Sequence, residues 1–329
     1  MARIVLGIGT SHTPMLSSPV EDMPLYVERD MGIDHLDRQG RPTTYAALLA
    51  AASPAVAGLA AGDLLAGRHA RAQADIARLA EVIAAARLDA LIVVGDDQKE
   101  VLDDRNLPPL LVYWGATIRN NVYHGRYRPE WLGRAAPGYF ETDGPRDYPV
   151  HHQLARHVID RLIADDFDVA TANGLPDGMG EGHAFGFVHR RLLTGDPVPV
   201  VPVFLNTYYP PSQPTPRRCH DIGRAIRRAV EAYPDDLRVG IVASGGLSHF
   251  LVDEEFDRAI IDALRAHDAD ALRSLPVAKL NAGSSEIRNW VCVAGAVEHL
   301  SLDWVDYLPG YRTPAGTGTG ICFAEWRQP

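Results

Sequence analysis

A chain of 329 residues with 46% hydrophobic and 22% charged residues can bury a large core, as one big α/β domain or as two coupled halves. Its formal net charge of -10, from 32 basic and 42 acidic residues, argues against nucleic acid or an anionic membrane as partner, because both need concentrated Lys and Arg. No run of about 18 apolar residues and no signal-peptide pattern occurs, so a cytoplasmic location is expected.

The three cysteines (Cys219, Cys292, Cys322) are widely spaced and form no C-x-x-C pair, so neither a disulfide framework nor a zinc site is indicated. The thirteen histidines are the more interesting pool of metal ligands.

The first expected strand is "RIVLGIG", residues 3–9. The stretch 19–67 follows with scattered Pro and Gly, a polar "DHLDRQGRPTT" and an Ala-rich piece, and reads as an insertion or lid packed over the domain. A helical period over 68–86 leads into "LDALIVVGDD". Residues 123–149, rich in aromatics, Pro, Gly and Arg, read as a second cover. A helix over 151–164, the strands "FDVATAN" and "VPVVPVFLN", a helix over 217–232 and the strand "LRVGIVASGG" complete the pattern. Strand alternating with helix predicts an α/β fold, a central mostly parallel sheet flanked by helices. No linker separates independent domains, so 1–329 is read as one unit.

In such sheets ligands gather beyond the carboxyl ends of the strands. Here those ends carry His12, then Asp96, Asp97 and Gln98, then His183, then Ser248 and His249. A single histidine there is more often ordinary hydrogen-bonded structure. Three in equivalent positions are what a metal or acid/base site requires, since its ligands converge from different elements. The two glycines of "SGGLSH" suit close approach to a ligand or, equally, a tight turn. "GIGTSH" and "AGTGTG" are not phosphate loops, for no Walker lysine follows either. "SGGLSH" is not a nucleophile elbow, which leaves a serine hydrolase through Ser248 a minor alternative. Glu286, heading an apolar helix, offers either a metal carboxylate or ordinary helix N-terminal chemistry.

"GIGTSHTPML", "GEGHAFGFVHRRLL", "LNTYYPPSQPTPRRC", "SGGLSHFL" and "SSEIRNW" occur in the order seen in class III extradiol ring-cleavage dioxygenases. The chain resembles that family, in particular the catalytic subunit of its protocatechuate 4,5-dioxygenase type and its gallate and 3-O-methylgallate members. The resemblance implies non-heme Fe(II) held by two histidines and a glutamate, with small catecholic acids and O2 as substrates. It assigns His12 and Glu286 as iron ligands, His249 as the catalytic acid/base and His183 as the second active-site histidine. Where the family reads Asn-Asp-His, this chain reads Asp96-Asp97-Gln98, so Gln98 falls at the second iron histidine. The metal site is then completed by Gln98 itself, Asp97, His69 or His124, or the metal is lost.

The C-terminal "YRTPAGTGTG" matches the family's substrate side and nominates Tyr311, Thr313 and Thr317 for substrate binding; an aromatic turn packed on the sheet is the equal alternative. The resemblance also implies that the 19–67 insertion does the covering that a small partner subunit provides elsewhere. A metal-independent or differently metallated protein on the same scaffold is the rival reading, and a homodimer the ordinary expectation.

Overall fold

Aliphatic and β-branched runs bounded by Gly, Asp and Asn become strands, and the Ala-, Leu- and Arg-rich stretches between them become helices. The computed structural model describes residues 1–60, 62–125, 129–196, 198–281 and 283–328. Residues 61 and 126–128, which fall in the two expected cover segments, lie outside the described residues, as does position 329 of the expected domain span.

The chain begins with β1 (Arg3–Thr10), α1 (Met23–Met31), the short pair β2 (His35–Leu36) and β3 (Pro42–Thr43), then α2 (Tyr45–Ala51), α3 (Pro54–Leu59) and the long α4 (Gly62–Ala86). Next come β4 (Ala90–Gly95), β5 (Leu110–Tyr113), β6 (Thr117–Asn120), β7 (Arg146–Pro149), α5 (His152–Ala164), β8 (Ala170–Ala172), α6 (His183–Phe187) and β9 (Val200–Leu205). The last part holds α7 (Pro216–Glu231), β10 (Arg238–Ser244), β11 (His249–Leu251), α8 (Glu254–Ala266), α9 (Ala269–Arg273), α10 (Ile287–Ala296), β12 (Ser301–Tyr311) and β13 (Thr317–Arg327).

Among the described residues the main sheet runs β11-β13-β1-β10-β4-β9-β5-β8, with β12 paired to β13. Its centre, β1-β10-β4-β9, is parallel throughout. The antiparallel partners lie outside that centre, β5 against β9 on one side and β13 against β1 on the other. Alternate residues of β4 enter two different cores. Ala90, Ile92 and Val94 pack with α5, α7, α8 and α10, whereas Leu91 and Val93 pack with α4 and α6. Burial on both faces explains why this strand reads as a continuous apolar run instead of an alternating one.

The C-terminal "TGTGICF" is part of β13 and lies within the sheet. Its Thr–Gly alternation carries the strand period of two, and both faces are buried. The expected 19–67 insertion is mostly helical. Met23 and Tyr26 of α1 and Leu65 of α4 form a small core with Met15 and with Leu132 and Trp131 of the second cover segment. The two expected covers therefore meet each other. α2 and α3 bury no residue, so the packing of the first segment rests on α1 and α4. Among the described residues no helix is long and apolar enough to cross a membrane.

Candidate metal centre and active site

Parallel pairing brings the carboxyl ends of β1, β4, β9 and β10 to one edge, and the polar residues found at those ends converge there. His12, Gln98, His183, His249 and Glu286 line one pocket of about 300 Å³. Asp96 is fully buried beside them. One ligand atom each of His12, Asp96, His183 and Glu286 lies within 4.8 Å of all the others.

The state of His12 follows from its neighbours. Its Nδ1 lies 3.0 Å from Ser244 Oγ, and Ser244 spends its single hydroxyl hydrogen on the Ala184 carbonyl at 2.7 Å. Ser244 must then accept from His12, so Nδ1 carries the ring proton and Nε2 presents a lone pair. That Nε2 is buried without a hydrogen-bond partner among the described residues. It faces Glu286 Oε2 at 3.5 Å and Asp96 Oδ1 at 3.9 Å. Ligands about 2.1 Å from a cation stand roughly 3 to 4 Å from one another, so this spacing fits one divalent ion. A buried orphan lone pair facing two carboxylates is the donor chemistry a metal needs.

Glu286 is aimed by its own helix. α10 is buried on all sides, and two of its side chains grip the end of β10. Asn289 Nδ2 donates to the Ser244 carbonyl at 2.8 Å, and Trp290 Nε1 donates to the Gly245 carbonyl at 2.7 Å. The Gly246 N–H then donates to Glu286 Oε2 at 2.7 Å. Both glycines of "SGGLSH" are needed for this approach. Gly245 has φ +151, and a Cβ there would stand 2.9 Å from Glu286 Cβ; one on Gly246 would stand 2.4 Å from the His249 ring.

His249 donates from Nδ1 to the Leu247 carbonyl at 2.9 Å, which leaves Nε2 directed at Glu286 Oε2, 3.5 Å away. His183 is held by Glu100, whose Oε2 accepts from the His183 backbone N–H at 2.9 Å and from Nδ1 at 2.5 Å. Burial would lower the His183 pKa, but the Glu100 carboxylate beside it prevails and pushes it up to about 10. Burial holds His12 below the usual histidine value. Burial, then the neighbouring Glu286, raise Asp96 to about 8. Burial would raise Glu286 too, yet His249 and His12 outweigh it and bring it to about 2.

The other residues singled out in the sequence lie elsewhere. Asp97 accepts the Val101 and Leu102 backbone N–H groups at 2.9 and 3.0 Å, the work of a turn. His69 sits on α4 with Nε2 3.5 Å from Gln73 Nε2, and His124 is exposed; neither lines the pocket. Ser248 is buried, donates to Asp257 Oδ2 at 2.6 Å and accepts from the Asp253 N–H at 2.9 Å, so it does not present a nucleophile.

Tyr311, Thr313 and Thr317 do not line the pocket either. Tyr311 donates to Glu254 at 3.0 Å, the two threonine hydroxyls meet at 2.8 Å, and Thr317 donates to Asp30 at 2.5 Å. The residues of that segment that do reach the pocket are Arg312 and Thr319, with Arg29 of α1 also on its wall. Tyr208 also lines the pocket; burial and the neighbouring Glu286 carboxylate push its phenol well above the ordinary value. Arg29, Tyr208, Arg312 and Thr319 went unassigned in the sequence, where "YRTPAGTGTG" and "LNTYYPP" hold three of them and no motif marks Arg29.

Fold and site together define an α/β protein with a buried histidine–carboxylate centre at the strand ends. The family model described as the catalytic LigB subunit of aromatic ring-opening dioxygenase matches residues 69–321, and the chain belongs to that family. It is 33% identical to a gallate dioxygenase of Pseudomonas putida over 204 residues, 57% of each chain. It is 32% identical over 237 residues to a 2,3-dihydroxyphenylpropionate/2,3-dihydroxicinnamic acid 1,2-dioxygenase of a Rhodococcus species, covering 67% of this chain and 69% of that one. A relative of the same name from Comamonas testosteroni is 28% identical over 43% of each chain. The chain thus spans little more than half of the gallate dioxygenase and less than half of the Comamonas protein.

Proposed function

We propose that the protein is an Fe(II)-dependent extradiol dioxygenase that opens the ring of a small catecholic acid of the 3-O-methylgallate, gallate or protocatechuate type, incorporating both atoms of O2. The observation that carries this reading is the Nε2 of His12, buried without a hydrogen-bond partner among the described residues and facing Glu286 at the pocket. His12 and Glu286 would hold the metal, with a third protein donor from the end of β4. Bound there, Fe(II) supplies a Lewis-acidic, redox-active centre with open positions for a chelating diol and for dioxygen.

The chain's own residues supply the rest. His249 has its Nδ1 proton tied to the Leu247 carbonyl, so its Nε2 is the acceptor for a substrate hydroxyl proton and the group that returns it. His183 keeps a proton beside Glu100 on the pocket wall and orients the substrate oxygens. Tyr208 adds a phenol beside Glu286 on the pocket wall.

Arg29 and Arg312 suit the acid group of the substrate. Arg312 is buried and forked onto Asp30 at 2.6 and 3.0 Å, while among the described residues its third nitrogen hydrogen-bonds only Met15 Sδ, at 3.9 Å. Arg29 stands 3.6 Å from the same carboxylate. Two guanidiniums share one acid, and the surplus positive charge faces the pocket. Tyr26, Arg29 and Leu132 come from the two cover segments, which fits a lid that excludes water from the reacting groups.

The test is oxygen uptake by the protein purified without air and supplied with Fe(II), given 3-O-methylgallate, gallate and protocatechuate in parallel. Uptake that needs both iron and a diol supports the reading. No uptake with any diol, from protein that keeps no iron after desalting, overturns it in favour of a differently used scaffold.

A further inference from the structure

We propose, on the reading of this site as a metal centre, that Asp96 is the third protein ligand and that Gln98 bridges the two carboxylates through its amide instead of binding the cation. Three side chains follow β4, and each has a different surrounding. Asp97 has both oxygens committed to backbone N–H groups at 2.9 and 3.0 Å. Gln98 Nε2 stands 3.4 Å from Asp96 Oδ2 and 3.4 Å from Glu286 Oε1. Carboxylates only accept, so the amide serves both of them with its NH2.

Asp96 is the carboxylate left poorly satisfied. It is completely buried, and the side-chain donors it meets, Gln98 and Asn289, stand at 3.4 and 3.5 Å, the long limit of a hydrogen bond. A carboxyl buried with contacts this long lacks the partners its ionised form needs, and a cation beside it would supply one. The second observation is independent of the acids. His12 Nε2, buried and without a hydrogen-bond partner among the described residues, points toward Asp96 Oδ1 and Glu286 Oε2.

Two carboxylates and one neutral imidazole balance a divalent charge, which an amide in place of Asp96 does not. Turning the Gln98 oxygen inward would also remove the NH2 group from Asp96 and Glu286. The strand period points the same way. Carried past Gly95, it puts Asp96 on the side of Val94 and turns Asp97 to the other.

The experiment measures iron per chain in the full-length protein, reconstituted with Fe(II) without air and desalted, for the wild type, Asp96→Asn and Gln98→Ala. Thermal melts confirm that each variant is folded, and both changes conserve or reduce volume. The expected result is wild-type retention near one iron per chain, at least a ten-fold loss of Fe(II) affinity in Asp96→Asn, and a loss of no more than about three-fold in Gln98→Ala. Loss in Gln98→Ala with retention in Asp96→Asn overturns the assignment and makes the amide the ligand. Equal loss, or equal retention, in the two variants overturns the division of roles between them. Wild-type protein that retains no iron removes the metal-centre reading itself, an outcome distinct from either variant result.

Discussion

Ser244 Oγ accepts the Nδ1 proton of His12 at 3.0 Å while donating its own hydrogen to the Ala184 carbonyl, and this pair of bonds fixes the imidazole as a donor through Nε2. The serine ends β10 and the histidine follows β1, so the pairing of two parallel strands sets the tautomer at the site. Ser244→Ala leaves the ring without its acceptor and free to place the proton on Nε2. The expected effect is about 10- to 100-fold weaker metal binding, the usual cost of losing such an outer partner. Fe(II) titration of the two proteins checks it, and equal affinities would show that the tautomer is set by something else.

His249 is a separate case because it is proposed to move a proton and not to hold the metal. His249→Ala should keep iron content within about two-fold and lower turnover by roughly 10²- to 10⁴-fold, the range general acid–base groups contribute. Iron analysis alongside steady-state oxygen uptake separates the two effects. Turnover near wild type would remove the assigned base.

The proposed acid anchor predicts a difference between substrates. Arg29→Gln removes one of the two guanidiniums at the pocket without stripping Asp30 of its forked partner Arg312. KM for protocatechuate should rise roughly ten-fold or more, the loss of about 1.4 kcal/mol expected for a charged hydrogen bond. KM for catechol, which has the diol but no acid, should not move. Arg312→Ala is the wrong variant for this purpose, since it would strip the buried Asp30 of its forked partner and leave it the Thr317 hydroxyl and the longer Arg29 contact, at a cost of up to about 3–5 kcal/mol. A parallel rise in KM for both compounds would count against the anchor.

The sheet was readable where residues announce it: the apolar runs at 3–9, 88–97, 198–206 and 237–246 all coincide with strands. The last long strand was not, because Thr317–Arg327 opens as a Thr–Gly alternation that resembles a glycine-rich loop. Pairing of that stretch with β11 and β12 reveals its period of two. Convergence of His12, His183 and His249 on one pocket followed from the rule that strand ends carry the site, whereas Glu286, at the head of a helix, was singled out by the family resemblance. Which acid of the Asp96–Asp97–Gln98 run faces the group depends on where backbone N–H groups lie, and those of Val101 and Leu102 belong to a turn formed after the strand. Arg29 and Arg312 come from segments 283 residues apart in number, joined by Asp30, and no local pattern links them.

The last prediction concerns stability. Asp75 of α4 lies beside Asp306 of β12, whose own carboxylate is forked onto Arg71 at 2.6 Å through each oxygen. Burial first, and then the hydrogen bond and charge of Asp306, raise the Asp75 carboxyl to about 7. A carboxyl whose pKa is higher in the folded than in the unfolded chain keeps its proton longer when folded. Between the ordinary Asp value near ~3.9 and about 7 the folded state therefore binds more protons, and the free energy of unfolding falls as pH rises. Above that window both states are ionised and the penalty stays constant. Asp75→Asn removes the titration while keeping the shape, so it should gain stability relative to wild type progressively from pH 4 to 7, with no further gain from pH 7 to 9. Guanidinium unfolding of both proteins across that range reads the difference directly. Curves that stay parallel at every pH would mean that Asp75 carries no proton in the folded protein and that its charge is met by Arg71 and Arg78 instead.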